Sequence, residues 1–508
     1  MAASERQRRL KWGLFPQVLK GDVPYADRRP ELADVCVGEK VVMVMRTPAW
    51  QEVMQPLLDA LDAERPRKGP APAYDSTELE SCLLYARLVG AATWGEARTL
   101  LAGDRAGCDR EALGFDHPRQ RVGAGLSLVR SREGVPSETT VWRHKRRFGL
   151  QRHTSAYRVL FERLVEEHFK EWDEQLSEEA RLVHWDGSML LSHYTSFERK
   201  KRATGEVKPP TLSGGGYRPR TTGNAGKDGH GFCLVAAVTQ TGLPLVARLT
   251  PINEPEAQTA RHILEDEWRR VVTPRLGDEV VRVMACDAAY SGGHMREAVH
   301  RAGYIPNCHP VSHADVPRST ANAKRKDDAR LAIRRHPKWH LNGHHELGCE
   351  CGQGKSFRRA ATKADGDAVA RLEGSCPKCG SVCLTAGQWR PYGSGKRRGV
   401  EKALEDDRHL IDWRIGNPLT FNDPVSAAYG SARFGHNEGF HGALVTRFGL
   451  LKEKSWHRSR EQAERDLLQV FCAMHAIAKE QRLRQAARAA PAAGGGGSGA
   501  PPPLALAA

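Results

Sequence analysis

Hydrophobic and polar positions divide the chain into a helical first third, a strand-rich middle and a helical close. Residues 1–72 carry no sustained period, end in Pro66-Arg67-Lys68-Gly69-Pro70-Ala71-Pro72 and read as an arm or linker. Two capping-box patterns follow, Thr77-x-x-Glu80 and Thr93-x-x-Glu96. Each leads into apolar residues at helical spacing, such as Leu79, Leu83 and Ala86, and so predicts a helix. A further short helix is expected between a Ser137 cap and a Gly149 stop. On it Val141, His144 and Phe148 share one face, and Arg143, Arg146 and Arg147 another.

From residue 181 the period becomes that of strands. Arg181 to Asp186 is a β-prone run ending on an acid. Gly231 to Thr239 and Leu243 to Thr250 flank Gln240-Thr241-Gly242, a hairpin signal. A helix is predicted over Glu256 to Arg270, and a strand over Glu279 to Cys286 with Asp287 next. Another helix over Gly293 to Ala302 and a strand starting at Tyr304-Ile305 complete the series. This order predicts an α/β mixed sheet flanked by helices, whose first and fourth strands are neighbours. Asp186 and Asp287 would then project side by side. Beyond residue 308 the sheet signal stops, and helix returns from about Asn437. Ser459-x-x-Gln462 opens a last amphipathic helix with Ala463, Leu467, Phe471, Met474 and Ala478 on one face.

The expected organisation is an arm at 1–72, a helical DNA-binding region at 73–175, and the first part of a catalytic core at 176–308. An insertion at 309–425, completion of the core at 426–485 and a Gly/Pro-rich disordered tail at 486–508 follow.

Charge adds a partner to this picture. Lys and Arg exceed Asp and Glu by 77 to 61, a net +16 that favours a polyanion. A basic helix within an all-helical segment fits a helix-turn-helix reader of double-stranded DNA, with Arg143, Lys145, Arg146 and Arg147 aimed at phosphates or base edges. A solvated surface helix is the plainer alternative. No apolar run approaches the ~18 residues that span a bilayer, and the N-terminus leads into no signal-like apolar core. The expected location is therefore the cytoplasm, at the nucleoid, with no membrane partner.

Cysteine adds a metal. Twelve Cys are too few for a disulfide framework in a chain of 508 residues, and several cluster. Cys376-Pro377-Lys378-Cys379-Gly380 is a zinc-knuckle pattern, and Cys349-Glu350-Cys351-Gly352 supplies a second pair. Four thiolates would close a structural Zn²⁺ site, a zinc ribbon within the insertion, with His344, His345 and Cys383 as possible substitutes.

Acids suggest a second kind of metal. Three carboxylates can hold two Mg²⁺ or Mn²⁺ ions ~3.5–4 Å apart for phosphodiester chemistry. Asp186 and Asp287 are the first two candidates. Glu438, near the start of the returning helix, is the third, with Asp412 and Asp423 as weaker rivals.

Several runs together resemble the core motifs of bacterial insertion-sequence DDE transposases with an RNase H-like catalytic core. They are Trp185-Asp186-Gly187-Ser188, Gly229-His230-Gly231-Phe232, Gly242 to Pro251, and Cys286-Asp287-Ala288-Ala289-Tyr290-Ser291. Tyr429, Arg433 and Glu438, followed by Ser455-Trp456-His457-Arg458, resemble the third-acid region, although each of the first three is spaced one residue wider than the family's usual pattern. The resemblance covers roughly residues 75–485. It implies Mg²⁺-dependent cleavage and strand transfer through Asp186, Asp287 and Glu438, with Arg433 near DNA. It also implies transposon terminal inverted repeats and target DNA as partners, and a homodimer on DNA. A catalytically inactive DNA-binding remnant or regulator, and an RNase H-like nuclease, are the alternative functions.

Overall fold

The computed structural model describes residues 35–65, 74–116, 134–171, 179–200, 207–219, 229–276, 282–286, 290, 295, 298–299, 301–308, 339–341, 347–362, 368–385, 440–450 and 455–489. Helices lead. They are α1 (Val37–Met45), α2 (Pro48–Val53), α3 (Gln55–Ala63), α4 (Ser76–Leu88), α5 (Trp94–Ala102), α6 (Gly107–Ala112), α7 (Glu138–Phe148) and α8 (Leu150–Glu171). Residues 35–65 thus correct the irregular arm, because Val41, Val44, Trp50, Leu58 and Leu61 bury one stripe of three short helices. The segment was hard to read because its helices are shorter than the window over which a 3.6-residue period becomes visible.

Capping chemistry sets the next boundaries. Thr93 and Glu96 form the expected box at α5. At α4 the box lies two residues earlier than expected. The Glu78 N–H donates to Asp75 at 2.7 Å and the Asp75 N–H to Glu78 at 3.0 Å. Glu80, freed from capping, is fully buried and accepts from the Tyr157 hydroxyl at 2.7 Å, with His144 at 3.0 Å and His153 at 2.8 Å. Ser137 caps α7, and Gly149, at φ +80°, ends it in the left-handed region that glycine tolerates.

The strands are β1 (Leu182–Leu191), β2 (Arg199–Lys200), β3 (Val207–Lys208), β4 (Gly216–Arg218), β5 (Gly229–Thr239), β6 (Pro244–Pro251), β7 (Val283–Cys286) and β8 (Ile305–Cys308). The main sheet runs β4-β5-β1-β7-β8, with β6 also paired to β5. β1, β5 and β6 are antiparallel, whereas β7 lies parallel to β1 and β8 parallel to β7. A three-strand meander extended by parallel strands beyond β1 is compatible with an RNase H-like fold. β5 is flanked on both edges, which is why Phe232 to Val238 reads as a continuous apolar run and not as alternation. β1 extends five residues past Asp186 and so corrects the expectation that the strand ends on this acid.

Helix α9 (Glu256–Glu265) follows β6 and breaks at Asp266, short of the expected Arg270, where a π turn (Trp268–Val272) buries Trp268 instead. The last helix, α10 (Arg460–Ala489), begins at the predicted Ser459, whose hydroxyl accepts from the Gln462 N–H at 3.2 Å. It is not amphipathic over its first half: residues 463–473 are buried on every face. One contiguous core joins Val41 and Trp50, Tyr157 of α8, Val235 of β5 and Phe471 of α10. The helical first third therefore packs into the same core as the sheet.

The insertion holds strands where none were expected: β9 (Trp339–Leu341), β10 (Leu347–Cys349), β11 (Lys355–Thr362), β12 (Ala368–Cys376) and β13 (Gly380–Thr385). β11, β12 and β13 form an antiparallel sheet of their own. Among the described residues no helix is long and apolar enough to cross a membrane.

A buried histidine pair joins α8, α10 and β6. His475 Nε2–H donates to the Pro244 carbonyl at 2.7 Å, which leaves its Nδ1 to accept from His168 Nδ1–H at 2.6 Å. Burial lowers both from the usual histidine range, His475 to about 4. In the unfolded chain these rings take protons near pH 6.5, and in the folded chain only well below it. Stability is therefore complete above about pH 6.5 and lost as pH falls toward 4, on the order of 3 kcal/mol for His475 at ~1.4 kcal/mol per unit. Thermal unfolding scans of the protein and of His475→Gln over pH 4 to 8 check this, and the variant should lose the smaller share on acidification.

Candidate active site and thiol cluster

Asp186 stands on β1, the strand with the antiparallel meander on one side and the parallel strands on the other. Its side chain is about a quarter exposed. Oδ1 accepts from the Gly187 N–H at 2.8 Å, and Oδ2 lies 3.9 Å from His441 Nε2. Because side chains alternate along a strand, Ser188 shares the face of Asp186, and its hydroxyl bonds His441 Nδ1 at 2.7 Å. Burial lowers His441 to about 4, so the ring is neutral at pH 7. Its Nε2 is buried without a hydrogen-bond partner among the described residues.

Gly187 faces the other side of β1, toward α9. A Cβ there would stand 2.5 Å from the Glu256 carboxyl carbon, so glycine lets this carboxylate approach the strand. Arg218 of β4 lies 3.6 Å from Glu256. Tyr290 is fully buried, and burial followed by the fields of Glu256 and Asp186 pushes its hydroxyl well up.

Two of the three predicted acids, Asp287 and Glu438, lie outside the described residues, as do Arg433, Asp412 and Asp423. The described residues next in sequence to Asp287 and Glu438 lie beside Trp185 and Asp186. The parallel ladder ends on Trp185↔Cys286, each one residue before an acid. The helical residues 440–446 carry His441 against Asp186 and Ser188. Sequence reading left His441 without a role and missed Ser188 and Glu256. The period of two along β1 could have found Ser188, whereas nothing local announces the approach of Glu256 to Gly187.

On α7 the four basic residues separate. Arg143, Arg146 and Arg147 are exposed. Arg147, however, donates to Ser76 at 2.8 Å and lies 3.7 Å from Asp62. Lys145 is partly buried, and burial together with the neighbouring Arg465 lowers it to about 8. The outward face is thus Trp142, 54% exposed, with Arg143 and Arg146, the latter's guanidinium 5.5 Å from the indole centre.

In the insertion the sulfurs of Cys349, Cys351, Cys376 and Cys379 all lie within 4.8 Å of one another. Two tight turns bring them together, each with a glycine after its second cysteine: Gly352 at φ +71° and Gly380 at φ +78°. Backbone N–H groups aim at sulfur, Gly354 at Cys349 (3.0 Å) and Cys379 at Cys376 (3.4 Å). Burial would push Cys376 up, but the Cys379 and Lys378 N–H groups and the facing thiols bring it down to about 6. The Gln353 N–H favours the Cys351 thiolate, yet the neighbouring Cys376 and Cys349 sulfurs push it up to about 12. Thiols that resist joint deprotonation form a group suited to a zinc ion, whose charge stabilises all four thiolates.

No family model and no curated protein matches the chain. Among solved structures, the chain is similar to the Mos1 transposase paired-end complex with left transposon end at a TM-score of 0.16 and 12% identity. The match covers 48% of this chain and spans 61% of that one. A likeness of this size fixes neither fold nor function.

Proposed function

We propose that the chain is a DNA transposase of DDE type, which binds transposon ends and carries out metal-dependent phosphodiester cleavage and strand transfer. The observation that carries this reading is the end of the parallel β1–β7 ladder. Trp185 pairs with Cys286, the last pair of the ladder, and Asp186 and Asp287 each follow a member of that pair in the sequence; His441, three residues after Glu438 in the sequence, lies 3.9 Å from Asp186. An all-oxygen set of Asp186, Asp287 and Glu438 suits hard Mg²⁺ or Mn²⁺. When bound, such ions activate a water or 3′-hydroxyl and stabilise the leaving oxygen. His441, neutral and braced by Ser188, orients beside Asp186 without adding charge to the site. The four-cysteine group gives the insertion a structural zinc, and a homodimer on DNA would pair two ends.

The test is incubation of the purified chain with Mg²⁺ and supercoiled DNA carrying the inverted repeats that flank its coding region. Nicking at the repeat ends supports the reading. Cleavage of an RNA–DNA hybrid without end-specific nicking would replace it with a nuclease, and DNA binding without any cleavage with a regulator.

The outward face of α7 is read as a DNA contact. Neutralising Arg143 and Arg146 together should weaken binding and make its dependence on salt shallower by about two units of slope, at ~0.9 per phosphate. The Lys145→Gln variant should leave the slope nearly unchanged because Lys145 is partly buried beside Arg465 and Asp466. Titrations at several salt concentrations check both. An unchanged slope in the first variant would place DNA elsewhere.

A further inference from the structure

Among the described residues, one further group of metal-ligating side chains lies outside the sites above. Cys36 caps α1, Glu39 lies in its first turn, and Cys108 belongs to α6; one sulfur or carboxylate oxygen from each lies within 4.8 Å of the others. The approach of the two helices is built in. Gly38 has no Cβ, and one there would stand 2.6 Å from the Asp109 carbonyl oxygen and 2.8 Å from its Cα. The Gly38 N–H instead donates to Asp109 Oδ1 at 2.7 Å, while the Tyr85 hydroxyl donates to Oδ2 at 3.0 Å. Asp109 therefore locks α6 against α1 and α4 at the residue next to Cys108. Glu39 is oriented too, since Oε2 accepts from the Cys36 N–H at 3.0 Å and Oε1 remains for a ligand.

We propose that Cys36, Glu39 and Cys108 form a second zinc site, distinct from the four-cysteine group and open to water at a fourth position. Two thiolates and one carboxylate are the donor types Zn²⁺ takes, and sulfurs bound to one tetrahedral zinc stand ~3.8 Å apart, within the span found here. Binding one Zn²⁺ breaks two S–H bonds, forms two Zn–S bonds and one Zn–O bond, and releases two protons to solvent; no electron is transferred. Cys108 and Glu39 are exposed and Cys36 is half-buried, so the ion exchanges readily with solution. The site would clamp α1, the first described helix, to α6. It does not depend on the transposase reading.

The experiment uses the reduced full chain. Added Zn²⁺ should protect Cys36 and Cys108 from iodoacetamide at least about tenfold, with protection reversed by a chelator, as mapped by peptide mass spectrometry. Protection should persist in the Cys376→Ser, Cys379→Ser variant, which separates it from the four-cysteine group. Co²⁺ added to that variant should give a thiolate-to-cobalt absorption band, which is lost on the further change Cys36→Ser, Cys108→Ser. Equal alkylation rates with and without Zn²⁺, or a Cys36–Cys108 disulfide forming in the presence of Zn²⁺, would overturn the proposal.

Discussion

Asp186→Asn is expected to abolish Mg²⁺-dependent nicking while leaving DNA affinity within about twofold of the unaltered protein. The change is nearly isosteric and removes one of the proposed ion ligands, but none of the basic residues proposed to meet DNA on α7. If the three carboxylates hold two ions as proposed, Asp287→Asn and Glu438→Gln should behave alike. Ser188→Ala offers the contrast. It frees His441 without touching a ligand, so its cost should stay within the ~10–100-fold typical of an outer-shell partner. Nicking of end-bearing DNA, with binding measured in parallel in Ca²⁺, separates the two classes. Wild-type cleavage by the Asp186→Asn protein would sink the active-site assignment.

If the four cysteines hold zinc as proposed, replacing Cys376 and Cys379 by Ser should release it and unfold the β11–β13 sheet, leaving the main core folded. Among the described side chains of residues 349–380, the buried positions are Cys349, Gly374, Cys376 and Cys379. None belongs to the large hydrophobic cluster. Apparent zinc affinities of ~10–16 kcal/mol in small zinc-finger peptides exceed what such a sheet gains from apolar burial. Elemental analysis after dialysis should fall by about one zinc per chain, and limited proteolysis should cut between residues 347 and 385 while sparing α8 and α10. A variant that keeps its zinc, or an insertion that stays protease-resistant without it, would remove the ribbon from this account.

These expectations rest unequally on sequence and structure. Cysteine spacing was legible because a zinc knuckle is local: two thiols and a turn lie within five residues, and the fold had only to bring two such turns together. The Ser137 cap, the Gly149 stop and the Thr93–Glu96 box were legible for the same reason. At α4 two capping boxes competed. Burial decided between them, because Glu80 is drawn into the core by His144, His153 and Tyr157 from helices far along the chain. The partial burial of Lys145 was likewise hidden, since it lies in the field of Arg465 and Asp466, far along the chain.

By itself the sequence pointed to a mixed sheet whose first and fourth predicted strands are neighbours, to the four clustered cysteines and to the candidate acids. Strand and helix periods, turn residues and thiol spacing are local properties that survive without knowledge of what packs where. Only the tertiary structure decided that residues 35–65 join the core and that the first half of α10 is buried on all sides. It also decided that Asp186 lies within β1 with His441 and Ser188 on its own face and Glu256 against the glycine behind it. Each of those depends on pairs separated by tens to hundreds of residues. Their energies come from burial and close approach, and no window along the chain contains both partners.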